Sequence, residues 1–138
     1  MSEGISAQAY PPKTEPLTRT ILVVDDSRTI RQQTRVLLEG HGFRVTEAGN
    51  GIEGLEEARK ELVDLIIVDV NMPAMNGLDM IAHVRELPGY AKIPIFVLTT
   101  EASGEIVRRG KAVGATAWVV KPFKPEVLIP AIRSVLKT

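Results

Sequence analysis

A chain of 138 residues, 44% apolar and 25% charged, is enough for one soluble domain with a sizeable core. Lys+Arg and Asp+Glu both number 17, and this zero balance argues against a general nucleic-acid binder, which needs a basic excess. The absence of cysteine excludes disulfides and thiolate metal sites. No apolar run approaches the ~18–20 residues of a membrane span, and no signal peptide is evident. The expectation is a cytoplasmic protein with neither a nucleic-acid nor a membrane partner.

Residues 1–18, with Pro11, Pro12 and Pro16 among polar residues, read as a disordered tail. Residues 21–24 are a buried-strand run ending on Asp25 and Asp26. Ser27 suits an N-cap, and Ile30, Val36, Leu37 and Leu38 are the expected apolar face of a helix ended by Gly40 and Gly42. Residues 43–48 alternate as in an edge strand. Asn50 and Gly51 then open a helix with Ile52, Leu55, Ala58 and Leu62 inside and a Glu56/Lys60 pair outside. Residues 65–68 form another buried strand, stopping on Asp69 before a Pro73/Asn76/Gly77 loop.

A third helix is expected around Leu78, Ile81, Ala82, Val84 and Leu87, stopped by Pro88 and Gly89. A fourth strand, 93–98, ends on Thr99, Thr100 and Glu101. The following helix, 103–113, places Ile106, Val107 and Val113 inside and Arg108, Arg109 and Lys111 outside. Residues 116–120 form the fifth strand, ending at Lys121, and the last helix runs from Pro125 to Leu136. Pro130 falls inside it, where it removes a hydrogen bond and should kink the axis. Strands and helices alternate five times, which gives a single α/β domain, a doubly wound (βα)5 fold on a five-stranded parallel sheet.

In such a sheet, chemistry sits at the carboxyl ends of the strands. Asp25, Asp26, Asp69, Thr99 and Lys121 all fall there. Taken singly, each has a plain structural role; their conjunction on one rim is the informative feature. Two carboxylates ~4 Å apart repel by about 4 kcal/mol at an effective dielectric near 20, so a lysine or a hard cation must offset them. Oxygen donors without His or Cys favour Mg2+, with Mn2+ as the alternative. Asp69 as nucleophile would form an acyl phosphate. Thr99 and Lys121 would contact its oxygens, and Lys121-Pro122 is a candidate cis bond.

DD at 25–26, DVNMPAMNG from 69, TTE at 99–101 and KPF at 121–123 resemble the receiver domain of bacterial two-component response regulators over residues 20–138. The stretch GKAVGATAWVVKPFKPEVL, 110–128, is most similar to the single-domain chemotaxis members, and the implied fold is flavodoxin/CheY-like. By that resemblance Asp69 is the phosphoacceptor. Asp26 and Asp69 bind Mg2+ directly, Asp25 through water and Asn71 through its backbone carbonyl, while Thr99 and Lys121 hold the phosphoryl group. Trp118 takes the place of a switch aromatic, usually Tyr or Phe, moving with Thr99. The partner surface is then the fourth helix, fifth strand and fifth helix, near Trp118, Arg108, Arg109 and Lys124.

The implied partners are a CheA-like histidine kinase, a flagellar motor switch protein or other target, and a phosphatase. No output domain is expected after residue 138, and the protein is a phosphoacceptor rather than a dedicated enzyme. A phosphate sink or relay draining the kinase, or a regulator of a non-chemotaxis target, remains the alternative. An aspartyl-phosphate phosphatase fits less well, because Asp25 and Asp26 are adjacent rather than two apart. A nucleotide or flavin binder fits poorly too, because those acids would repel a phosphate. Asn71 and Glu101 flank the approach of hydrolytic water, so substituting them should change the dephosphorylation rate.

Overall fold

In the computed structural model, which describes residues 18–100 and 103–137, the apolar runs form five parallel strands. The expected tail, Thr18 apart, and Glu101 lie outside the described residues. The elements alternate without exception. They are β1 (Thr20–Val24), α1 (Arg28–Gly40), β2 (Arg44–Ala48), α2 (Gly51–Lys60), β3 (Leu65–Asp69), α3 (Gly77–Val84), β4 (Ile95–Thr99), α4 (Gly104–Val113), β5 (Ala117–Val120) and α5 (Pro125–Leu136). The sheet order is β2-β1-β3-β4-β5, every pair parallel, which is the doubly wound, flavodoxin-like arrangement.

The central strands β1, β3 and β4 are buried along their whole length because helices cover both faces. Their side chains divide with period two. Leu22, Val24, Ile66, Val68 and Val97 join Leu55, Ala58, Leu78, Met80, Ile81 and Val84, so α2 and α3 cover one face, with α4 beside them. Ile21, Val23, Leu65, Ile67, Phe96 and Leu98 join Leu38, Leu128, Ile129 and Ile132, so α1 and α5 cover the other. Side-chain oxygens of Ser27, Asn50, Asn76 and Ser103 accept backbone N–H groups and start four helices.

Several expected faces are corrected. On α1, Val36 is 70% exposed and Thr34 is buried in its stead, its hydroxyl donating to Ile30 O at 2.8 Å. That internal bond lets a threonine occupy a core position. On α2, Ile52 is 48% exposed, and Leu62, 60% exposed, lies past the end of the helix at Lys60. The close approach is made by Gly54 instead, where a Cβ would lie 2.8 Å from Met80 Sδ. On α3, Ala82 faces out and Met80 faces in. Lys60 pairs with Glu57 at 2.8 Å rather than with Glu56. On α4, Val107 is only half-buried, while Ile106 and Val113 pack on the core. Helix α5 continues across Pro130, whose ring is exposed, and the carbonyl left without its donor belongs to exposed Glu126.

Arg85 joins the end of α3 to the loops around it. Its guanidinium donates to Gly114 O, to Tyr90 O at 2.7 Å and to Ile93 O at 2.7 Å. Burial pushes its pKa down, and no carboxylate pairs with it among the described contacts. Arg85→Met strips three carbonyls of a charged donor at once. Stability should fall by about 2–3 kcal/mol, read as a lower urea midpoint at unchanged slope.

Candidate functional site

Strand order reverses between β1 and β3, and the crevice at that switch point holds the acids. Asp25 follows β1 directly and is fully buried. Its Oδ1 accepts the Ser27 N–H at 2.9 Å, the short-range bond expected of an aspartate starting a turn. Its Oδ2 is buried and accepts no well-directed hydrogen bond; the 3.1 Å approach of Lys121 Nζ is an ion pair. Asp69, the last residue of β3, lies 3.3 Å from the same ammonium through its own Oδ2. Asp26 is exposed, yet one oxygen each of Asp25, Asp26 and Asp69 fall within 4.8 Å of one another.

The surrounding loops fit tightly. A Cβ on Gly77 would stand 2.2 Å from Asp69 O, so only glycine lets the loop after β3 fold back over the strand end. The Lys121 N–H donates to Thr99 O at 2.7 Å, tying the ends of β4 and β5 together, and the Lys121-Pro122 bond is cis. Thr99 is buried at the end of β4, beside the strand carrying Asp69. Asn71 is exposed, and its backbone N–H favours the charged form of the Asp69 carboxylate.

Burial pushes the Asp69 carboxyl above its ordinary value, and the nearby Asp25 adds to this; Lys121 and the Asn71 N–H oppose it without cancelling it. Burial works to lower the Lys121 ammonium, but the Asp25 and Asp69 carboxylates outweigh it and the net shift is upward. Three carboxylates against one ammonium leave a formal deficit of positive charge. An acceptor atom with no directed donor, Asp25 Oδ2, lies inside the cluster. These residues fit a hard divalent cation with oxygen ligands, Mg2+ or Mn2+. Asp25, Asp26 and Asp69 would hold it.

Sequence patterns did not single out Arg31. One turn into α1, it donates from Nη1 to Asp25 O at 2.6 Å and from Nε to Glu47 Oε1 at 2.9 Å. It thereby fixes the backbone that carries the acidic pair. The detectable signal was position: an arginine four residues past a Ser N-cap points back toward the helix start. Trp118, Arg108, Arg109 and Lys124 do not join the rim. They sit on the face made by α4, β5 and the start of α5, with Trp118 half-buried and the three cations exposed.

Comparisons with known proteins agree with this geometry. The response regulator receiver domain family matches residues 21–133. The structure of the chemotaxis protein CheY4 of Vibrio cholerae superposes with a TM-score of 0.83 at 46% identity, over 86% of this chain and 98% of that one. The chemotaxis protein CheY1 of Helicobacter pylori is 40% identical over 121 residues, 86% of this chain and 97% of that protein. The DNA-binding response regulator MtrA of Mycobacterium bovis is 32% identical over 123 residues, and the chain spans only about half (53%) of it and of similar curated relatives.

Proposed function

Since this chain belongs to the response regulator receiver domain family, we propose that it is a signalling module whose Asp69 accepts a phosphoryl group from a histidine kinase. The observation that carries this is the approach of Lys121 Nζ to both Asp25 and Asp69 within a three-carboxylate cluster. Such a cluster is costly unless it serves a cation and a phosphoryl group. Mg2+, when bound, neutralises charge on the phosphoryl oxygens.

The chain's own residues account for the rest. An Asp69 carboxylate oxygen attacks phosphorus, the P–N bond to the donor histidine breaks, and an acyl phosphate forms while the imidazole leaves. Lys121 balances one phosphoryl oxygen and the Thr99 hydroxyl reaches another. Asp25, Asp26 and Asp69 would hold the cation, with the Asn71 carbonyl alongside. An apolar groove lined by Ile30, Leu37, Phe123 and Pro125 opens next to Lys121 and gives the donor protein a seat. Hydrolysis reverses the gain, so the protein assists its own phosphorylation and dephosphorylation and is not a dedicated enzyme.

Output is by binding, through the α4, β5 and α5 face around Trp118, Arg108, Arg109 and Lys124. The near full-length similarity to CheY4 and CheY1 supports a CheA-like kinase as donor and the flagellar motor switch as target. The MtrA similarity favours, as second reading, a regulator of a non-chemotaxis target. Incubation with acetyl phosphate and Mg2+ should add one phosphoryl group to the peptide carrying Asp69, and EDTA should prevent it. Incorporation at any other residue, or in EDTA, would sink the assignment. Capture of a purified motor switch protein by the phosphorylated form alone would then select chemotaxis over the second reading.

A further inference from the structure

Helix α4 is attached to the sheet unusually. Its one fully buried residue is Gly110, in the helix interior, where glycine is a poor choice. Trp118 of β5 explains it. A Cβ on Gly110 would stand 2.4 Å from Trp118 Cζ2 and 3.3 Å from both Cε2 and Cη2. Those atoms belong to a rigid fused ring, so the clash cannot be relieved at a flexible tip. Ile106 and Val113, one turn to either side on the same face, pack against the same core as the indole. The ring lies in a notch between them.

Its polar handle does not hold it there. Trp118 Nε1 is buried and has no hydrogen-bond acceptor among the described residues. Buried indole N–H groups normally find one. The position of the ring therefore rests on shape alone.

We infer that Gly110 is a positioning residue: it provides the notch that seats Trp118 and so sets how closely α4, with Arg108 and Arg109, lies on β5. The pair acts as one unit, a seat shaped for indole and an indole with nothing else to fix it. This is a property of the resting fold. It goes beyond the phosphoacceptor reading and does not depend on it.

The test uses the full chain in EDTA, with no phosphoryl donor. Trp118 is the sole tryptophan, so its emission reports the seat directly. In Gly110→Ala the acrylamide quenching constant should rise roughly twofold as the ring becomes exposed. The melting midpoint should fall by about 3–6 °C through overpacking. Made in a Trp118→Ala background, the same substitution should instead raise the midpoint by about 3 °C, because only the helix propensity of alanine remains. Unchanged quenching in Gly110→Ala, or a fall of similar size in both backgrounds, overturns the inference. Should Gly110→Ala fail to fold, the double variant decides. A midpoint above that of Trp118→Ala supports the seat, and failure to fold overturns it.

Discussion

Asp69→Asn should accept no phosphoryl group from acetyl phosphate, and in EDTA it should melt higher than the wild type. The first effect is chemical. The amide is neutral and a poor nucleophile, and no other described carboxylate shares its position at the end of β3 between Lys121 and the acidic pair. Phosphoryl incorporation should fall below detection by mass spectrometry. The change in Trp118 emission expected on adding Mg2+ and beryllofluoride should vanish with it.

The second effect follows from the direction of the Asp69 shift. Burial and Asp25 hold its charged form at a disadvantage relative to water, in spite of Lys121. A group whose folded pKa is raised binds protons more readily in the native state, so its charge destabilises the fold near neutrality and less so as pH falls through the folded pKa. The isosteric neutral amide removes that cost. Allowing for solvent reaching the rim, the gain should read as a small rise in the melting midpoint. Mg2+ should reverse the order. A cation binding only the native state raises the wild-type midpoint through its carboxylates, and the variant has lost one of them. Loss of phosphorylation without this crossing would mean that the acids do not share a cation.

The sheet and the rim were legible from sequence for different reasons. Three central strands buried on both faces leave continuous apolar runs, which hardly any other local structure produces at that length. The rim was legible because each run stops on a polar residue of specific chemistry. Helix faces were read less well. Val36 and Ile52 follow helical spacing but are exposed, because spacing gives a direction around the axis and not the edge of the covered zone, and Leu62 follows it past the point where the helix has ended. Met80 and Thr34 took core positions through side-chain reach and an internal hydrogen bond. Arg31 was legible only through its position past the Ser27 N-cap, and Gly110 was not legible as a positioning residue at all. Each acts through a neighbour fixed only by tertiary packing, Asp25 O for one and the Trp118 ring for the other.

Lys121→Met is the substitution that separates charge balance from shape at the rim. Methionine keeps the length of the side chain and removes the ammonium, leaving Asp25 and Asp69 buried without a counter-ion. Removing one partner of a buried pair costs about 3 kcal/mol, and that loss is expected at pH 7 in EDTA. In the wild type the Lys121 contribution is fully present below its unfolded pKa and is lost only as pH rises through its raised folded pKa. The ammonium's own titration therefore adds no slope across the acid range, and any slope there comes from the carboxylates it faces.

In the variant, Asp69 rises further, so acidification should restore stability as that carboxyl takes up a proton. Glu47 works oppositely. Burial tends to raise its pKa, but Arg35 and Arg31 outweigh this and hold it low, so its stabilising contribution is lost as pH falls through the folded value. Glu47 is common to both proteins and cancels in the difference. The gap between wild type and Lys121→Met should therefore narrow from pH 7 toward pH 4, and saturating Mg2+ at pH 7 should narrow it as well. Phosphorylation by acetyl phosphate should slow by about 100-fold, the usual effect of removing one group that faces developing negative charge. Urea midpoints for both proteins at the two pH values, with and without Mg2+, measure the stability changes, and the rate of phosphoryl incorporation measures the last. A variant as stable as the wild type at pH 7 in EDTA would show that the acids balance their charge without Lys121.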